Sequence, residues 1–175
     1  MRWIWIDRFI EFESGRRAVA IKNLSLAEEH LHDHFPGYPV MPGSLIIEGL
    51  AQTGGLLVGE ARAFEEKVIL AKIPKLTFHC PARPGETLTY TATIEYIQDD
   101  GAMVKVTSHV GERLQAEGEI VFAHLGDTGR TRRTFEPKNF VFTLKLLGVF
   151  DVGQASDGNP PPYPPGLEAL RKSER

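Results

Sequence analysis

This sequence predicts an α+β domain, one long buried helix wrapped by an antiparallel sheet, followed by a C-terminal extension. Three observations predict it. From Ser44 the stretch SLIIEGLAQTGGLLVGEARAF has no proline and is apolar on nearly every face, the mark of a helix that other elements surround. Between Val68 and Ala123 the pattern turns β-rich, with turn signals at Pro81–Glu86, Asp100–Gly101 and Gly111–Glu112. After Leu125 the character shifts to a basic linker, an apolar segment and a proline-rich stretch. The expected division is residues 1–125 for the domain and 126–175 for the extension.

Residues 2–12 and 16–24 read as two strands around the turn Glu13–Gly15, with Trp3, Ile4, Trp5, Ile6, Val19 and Ile21 supplying β-favouring side chains. Ser25–Leu31 reads as a single helical turn, since Ser25 and Glu28 have capping-box spacing. The segment His34–Gly43 holds Pro36, Pro39 and Pro42 within ten residues, which forbids helix and central strand and leaves a rigid loop. Ser44 is the expected N-cap, and the helix should run to about Arg62, roughly 28 Å at 1.5 Å per residue.

Glycines 49, 54, 55 and 59 each cost about 1 kcal/mol against alanine in a helix interior. Ala51, Gly55 and Gly59, at spacing four, form a smooth stripe that lets sheet backbone or another helix approach. Val68–Phe78 is an extended stretch bent at Pro74. Beyond the next turn, Leu88, Tyr90, Ala92, Ile94 and Tyr96 face one way and the intervening threonines the other. Strands Ala102–Val110 and Leu114–Ala123 complete the sheet. The apolar run NFVFTLKLLGVF fits strand and helix equally; it is too apolar to stay exposed, so it docks on the core or a neighbouring subunit. It either braces an oligomer, the reading we favour, or covers an entrance. GQASDGNPPPYPPG reads as a loop and LEALRK as a short helix.

Composition narrows the class. The chain of 175 residues is 42% hydrophobic and 25% charged with a net charge of −3, which gives no reason to expect nucleic-acid binding. Cys80 is the single cysteine, so an intrachain disulfide is excluded and a reducing compartment fits best. No apolar run reaches the length of a membrane span, and MRWIWIDR is too short for a signal peptide, so the expected location is cytoplasmic.

Two groups stand out chemically. Glu48 sits among Leu45, Ile46, Ile47 and Leu50, where burial would favour a neutral, proton-donating carboxyl. His34 opens the loop that enters the helix near its unpaired N–H groups. Together they would supply an acid, a base and a carbonyl-polarising pocket. Periodicity alone equally allows His34 as a loop-stapling hydrogen bonder and Glu48 as an exposed helix residue. Glu48 and Gln52 are four apart, so the amide can orient the carboxyl; the alternative is a solvent-facing Gln52. His30, His32 and His34 alternate, as strand metal ligands do, but the prolines that follow argue for irregular loop and no suitably spaced acid completes a metal set. Cys80 and His79 are adjacent, point to opposite faces of a strand and form no dyad, leaving a structural cysteine.

The spelling HFPG-x-PVMPG, followed by LIIEGLAQ, resembles the 3-hydroxyacyl-acyl-carrier-protein dehydratases of fatty-acid synthesis, the FabZ/FabA type. The resemblance covers the segment to about Leu125. It implies a hot-dog fold, in which a curved antiparallel sheet wraps a central helix, and an active site built between two subunits. It makes His34 and Glu48 the catalytic pair, and glutamate rather than aspartate at 48 matches the FabZ branch. The expected reaction is dehydration of a 3-hydroxyacyl thioester to the trans-2-enoyl thioester, with the Gly43 N–H polarising the carbonyl, Tyr38 and Met41 lining the pocket, and no cofactor or metal required. Implied partners are an acyl carrier protein and a second copy of the chain in a homodimer, with a trimer of dimers as the larger assembly. Thr77 and Glu86 depart from the family's basic residue and aspartate in FHCPARPGE, which leaves a basic carrier contact unassured. A thioesterase or coenzyme A hydratase of the same fold, or a non-catalytic acyl-binding module, are the competing readings.

Overall fold

A computed structural model describes residues 3–125, 137–155 and 157–167. The elements run β1 (Arg8–Glu13), β2 (Arg17–Asn23), a 3-10 turn (Glu29–Leu31), α1 (Gly43–Ala61), β3 (Lys67–Phe78), β4 (Thr87–Ile97), β5 (Gly101–Val110), β6 (Arg113–Leu125), α2 (Pro137–Leu146), α3 (Val149–Val152) and β7 (Gly153–Gln154). One seven-stranded sheet has the order β3-β6-β5-β4-β2-β1-β7, antiparallel throughout except for the β1/β7 pair. Its apolar face receives α1: Ile46, Leu50, Leu57 and Val58 are buried against Leu88, Tyr90, Ala92, Val104, Val106, Ile120 and Phe122. This is the helix-in-sheet arrangement that the all-round apolar stretch predicts.

Several boundaries differ from expectation for physical reasons. The first strand starts at Arg8; residues 3–7 precede it outside the sheet, and the Trp5 N–H is taken by a side chain, Gln52 Oε1, at 2.8 Å. The helix begins at Gly43, so its cap is Pro42, whose carbonyl accepts from Leu45 and Ile46, and Ser44 lies inside the first turn. Glu28 does reach back to the Ser25 N–H at 3.4 Å, but only a 3-10 turn follows. Tyr96 faces solvent because the β4/β5 register shifts between Ile94 and Tyr96, which flips the side chains beyond it. Register shifts between Leu70 and Lys72 and between Lys72 and Lys75, the second spanning Ile73 and Pro74, bend the edge strand β3, the place in a sheet where proline is tolerated.

The helix glycines admit aromatic rings, not backbone. A Cβ on Gly49 would lie 2.4 Å from Tyr90 Cε2, while Gly55 faces Phe122 and Gly59 faces Phe64. One face of α1 remains only half covered in the single chain: Leu45, Glu48, Gln52 and Leu56 line it at helical spacing.

The apolar run after the linker is helical. Val141, Leu144, Leu147 and Val149 are buried, Phe140 meets Phe64 edge-on at 5.2 Å, and the Phe9 N–H donates to Leu147 O at 2.8 Å. The chain then pairs Gly153 with Phe12 and Gln154 with Glu13. Of the two docking surfaces expected, the described residues use the chain's own core. The proline-rich stretch packs through Tyr163, stacked on Phe150 at 4.2 Å. The basic linker and most of LEALRK lie outside the described residues.

Candidate active site

The loop that delivers the histidine is closed by reciprocal bonds. Val40 N–H donates to His34 O at 2.9 Å, and Phe35 and Tyr38 exchange backbone bonds at 3.0 and 2.8 Å. His34 Nδ1 lies 3.0 Å from Val40 O. A carbonyl only accepts, so Nδ1 carries the hydrogen and the neutral imidazole presents its lone pair at Nε2. The loop is pinned further by the Met41 N–H, which donates to Ala82 O at 2.8 Å and so draws the segment after β3 alongside it.

Between these segments lies an open cleft of about 400 Å³. His34, Met41, Gly43 and Ile46 form one wall; Phe78, His79, Cys80 and Gln115 contribute the other. Gly43 is the first helical residue, and its N–H has no hydrogen-bond partner among the described residues. The site thus brings together a base with a defined tautomer and a helix-start donor backed by the dipole of a 19-residue helix.

Glu48 lies elsewhere. It is half-buried on the open face of α1, it does not line this cleft, and its Oε1 accepts from Gln52 Nε2 at 2.9 Å. The enclosed carboxyl expected at 48 is absent from the single chain. The buried acid of the helix is Glu60, 3% exposed and bonded by Ser14 Oγ at 2.9 Å, and burial raises its pKa above the usual carboxylate value. Tyr38 is not among the cleft-lining residues either: it is half-exposed, with its ring under Arg83 at 4.4 Å and its hydroxyl bonded to the same guanidinium. Of the other loop histidines, His32 is exposed. His30 packs edge-on to Trp5 at 5.1 Å, with Nε2 3.2 Å from Met41 Sδ, and burial holds it below the ordinary imidazole pKa. Among the described residues no three His, Cys, Asp or Glu side chains gather as metal ligands would.

Sequence reasoning missed the second wall. Cys80, expected only as a strand residue, lies beyond the end of β3 and lines the cleft with His79. The two do not pair: His79 Nε2 is 3.0 Å from Glu117 Oε1, and Cys80 Sγ contacts Leu114 O and Arg113 Nη1 at 3.7 Å. The available signal was the turn PARPGE, which holds this segment in place through Glu86 and its bonds to the Arg83 N–H at 2.8 Å and to Arg113 at 2.6 Å.

A long helix cradled by a curved antiparallel sheet is the hot-dog fold, and here an imidazole and a free helix-start N–H share one of its clefts. The chain belongs to the FabA-like domain family, whose model matches residues 3–124. It is 41% identical over 133 residues to a 3-hydroxyacyl-[acyl-carrier-protein] dehydratase FabZ of Thermomicrobium roseum, covering 75% of this chain and 89% of that one. A FabZ of Desulforamulus reducens is 38% identical over 122 residues, covering 69% and 86%. Among solved structures, a conserved protein of Pseudomonas aeruginosa aligns with a TM-score of 0.57 at 19% identity, covering 67% of this chain and 87% of that one. A hypothetical thioesterase of Streptococcus pneumoniae, solved with coenzyme A, gives 0.57 at 12% identity, covering 68% and 85%. At those identities the structural likeness speaks for the fold alone. No described helix is long and apolar enough to cross a membrane.

Proposed function

We propose that this protein is a 3-hydroxyacyl-[acyl-carrier-protein] dehydratase of fatty-acid biosynthesis, converting 3-hydroxyacyl thioesters to trans-2-enoyl thioesters. The observation that carries this reading is the shared cleft of His34 and the unpartnered Gly43 N–H, in a chain whose FabZ relatives bear that activity in their names. The C2 hydrogen of a thioester is weakly acidic, so charge must be stabilised on the carbonyl oxygen as the proton leaves. Gly43 N–H donates to that oxygen, helped by the positive end of α1. His34 Nε2 takes the C2 proton, its ring held by the Nδ1–H bond to Val40 O. Glu48 protonates the departing C3 hydroxyl; the C3–O bond breaks, the C2=C3 bond forms, and water leaves.

Because Glu48 does not line the cleft of its own chain, the acid at each site is Glu48 of the partner subunit. Two features support a homodimer. The outer edge of β3 is unpaired among the described residues and exposes Ile69 and Leu70, and the half-covered face of α1 carries Glu48 itself. β3 ends at Phe78, which lines the cleft, so a second copy docked along this edge adjoins its mouth. Met41 borders the acyl path, Gln52 orients Glu48, and Tyr38 stands outside the pocket at its rim. Cys80 is a free thiol, in keeping with a reducing, cytoplasmic setting.

The test is turnover of carrier-linked 3-hydroxyacyl substrates, followed by enoyl absorbance and by free-thiol release together. Enoyl product without thiol release is the expected result. Thiol release would make the protein a thioesterase, preference for coenzyme A thioesters would make it a coenzyme A hydratase, and binding without turnover would make it an acyl-binding module.

A further inference from the structure

The segment ahead of β1 is tied to the helix that carries Glu48, and the tie passes through one side chain. Gln52 Oε1 accepts from the Trp5 N–H at 2.8 Å, while Gln52 Nε2 donates both to Trp3 O and to Glu48 Oε1, each at 2.9 Å. Only one orientation of the amide satisfies all three partners. Reversing it would set the amide oxygen against a carbonyl and a carboxylate, and two N–H groups against each other. Two of the partners, the Trp5 N–H and Trp3 O, lie 47 and 49 residues away in sequence, so the segment before β1 holds both ends of an amide that the helix itself engages only through Glu48. The segment itself is anchored: Ile6 is buried, and the Asp7 N–H donates to Ile21 O at 2.7 Å.

We propose that the backbone of residues 3–5 is a positioning element for the reaction, orienting the Gln52 amide so that Glu48 Oε1 is held as an acceptor and the transferable proton resides on Oε2. Glu48 Oε2 makes no hydrogen bond among the described residues, so it is the oxygen left to face a substrate. The same segment reaches the other half of the machinery. The Trp5 ring packs on His30 at 5.1 Å, and His30 contacts Met41 in the loop that presents His34. Trp5 therefore touches the supports of both the acid and the base. This inference rests on the reading of Glu48 as the catalytic acid and goes beyond it by assigning what sets that acid's geometry.

The full-length chain tests it with kcat and KM for dehydration in five variants: Glu48→Gln, Gln52→Met, Trp5→Ala, Trp5→Pro and the pair Trp5→Pro/Gln52→Met. Trp5→Ala and Trp5→Pro both lose the indole, but only proline deletes the N–H. Gln52→Met should lower kcat roughly 10- to 100-fold with KM within about 2-fold, the signature of lost positioning and not of lost binding. Trp5→Pro should fall below Trp5→Ala by a similar factor, and the double variant should be no worse than the Gln52→Met and Trp5→Ala losses combined, since deleting the N–H adds nothing once the Gln52 amide is gone. If Trp5→Pro does not fold, exchanging the amide preceding the Trp5 side chain for an ester deletes the N–H with the indole kept, and the same non-additivity is expected. Losses that multiply, or an N–H deletion that leaves kcat at the level of its indole-matched control, would overturn the positioning role while Glu48→Gln remains impaired. Parent-like activity in Glu48→Gln would instead remove the acid assignment, and this inference with it.

Discussion

At the scale of single residues, the proposed base and the proposed carbonyl donor were legible because one uninterrupted motif spells both: the same ten residues that hold three prolines end in the glycine that starts the helix. Replacing His34 with alanine should abolish dehydration while the melting temperature stays close to the parent's, because a half-buried loop imidazole adds little packing. Glu48→Gln should lower turnover by about 10²-fold or more, measured on carrier-linked substrate, since it keeps shape and removes the proton. The cleft's second wall was not legible, because Phe78–Cys80 and Gln115 are brought together by β3/β6 pairing that no local pattern announces. In the single chain Glu48 is half-buried, and the glutamate enclosed on the helix lies elsewhere. Glu60 is the enclosed acid, with its pKa raised by burial. Stability linked to it is fully present below the ordinary carboxylate pKa and declines as pH rises and the buried group ionises. Glu60→Gln should therefore melt higher than the parent at pH 8, with the difference shrinking as pH is lowered toward the ordinary carboxylate value; thermal melts across that range check it.

At the scale of elements, α1 was predictable in position and length, yet its glycines were assigned the wrong visitor. Ordinary helix propensity would make Gly49→Ala stabilising by about 1 kcal/mol. Against this stands a Cβ that would lie 2.4 Å from the ring of Tyr90, a fully buried side chain. Overpacking of that kind costs about 1–3 kcal/mol and wins, so Gly49→Ala should lower the denaturation midpoint. The apolar tail was ambiguous because its hydrophobic residues satisfy both periods; only docking selects the helical set Val141, Leu144 and Leu147. Leu144 is fully buried in the main core, so Leu144→Ala should cost about 2–5 kcal/mol in chemical denaturation. An unchanged midpoint would mean that the extension is dispensable to the fold.

At the scale of the whole molecule, a helix wrapped by an antiparallel sheet followed from the sequence pattern, whereas the proposed division of the site between two subunits came only with the family resemblance, because symmetry leaves no trace in one copy of a motif. Inactive His34→Ala and Glu48→Ala chains, mixed under conditions that exchange subunits, should regain activity. Each mixed dimer would hold one site with both groups and one with neither. Absence of recovery after exchange has been verified by mass would refute the shared site.

The parallel pair of β1 and β7 has a further consequence for how many neighbours the sheet can accept. A bare sheet has two sticky borders, and a molecule with two can be threaded into an endless ribbon. Here one border is closed off by a later segment of the same chain: Leu147 O and Gln154 O take the Phe9 and Ser14 N–H groups, and Gly153 and Gln154 pair with Phe12 and Glu13. Among the described residues only the β3 border stays open, so the sheet they form is monovalent. A monovalent sheet that recruits its own kind terminates at two, and growth by strand addition stops there.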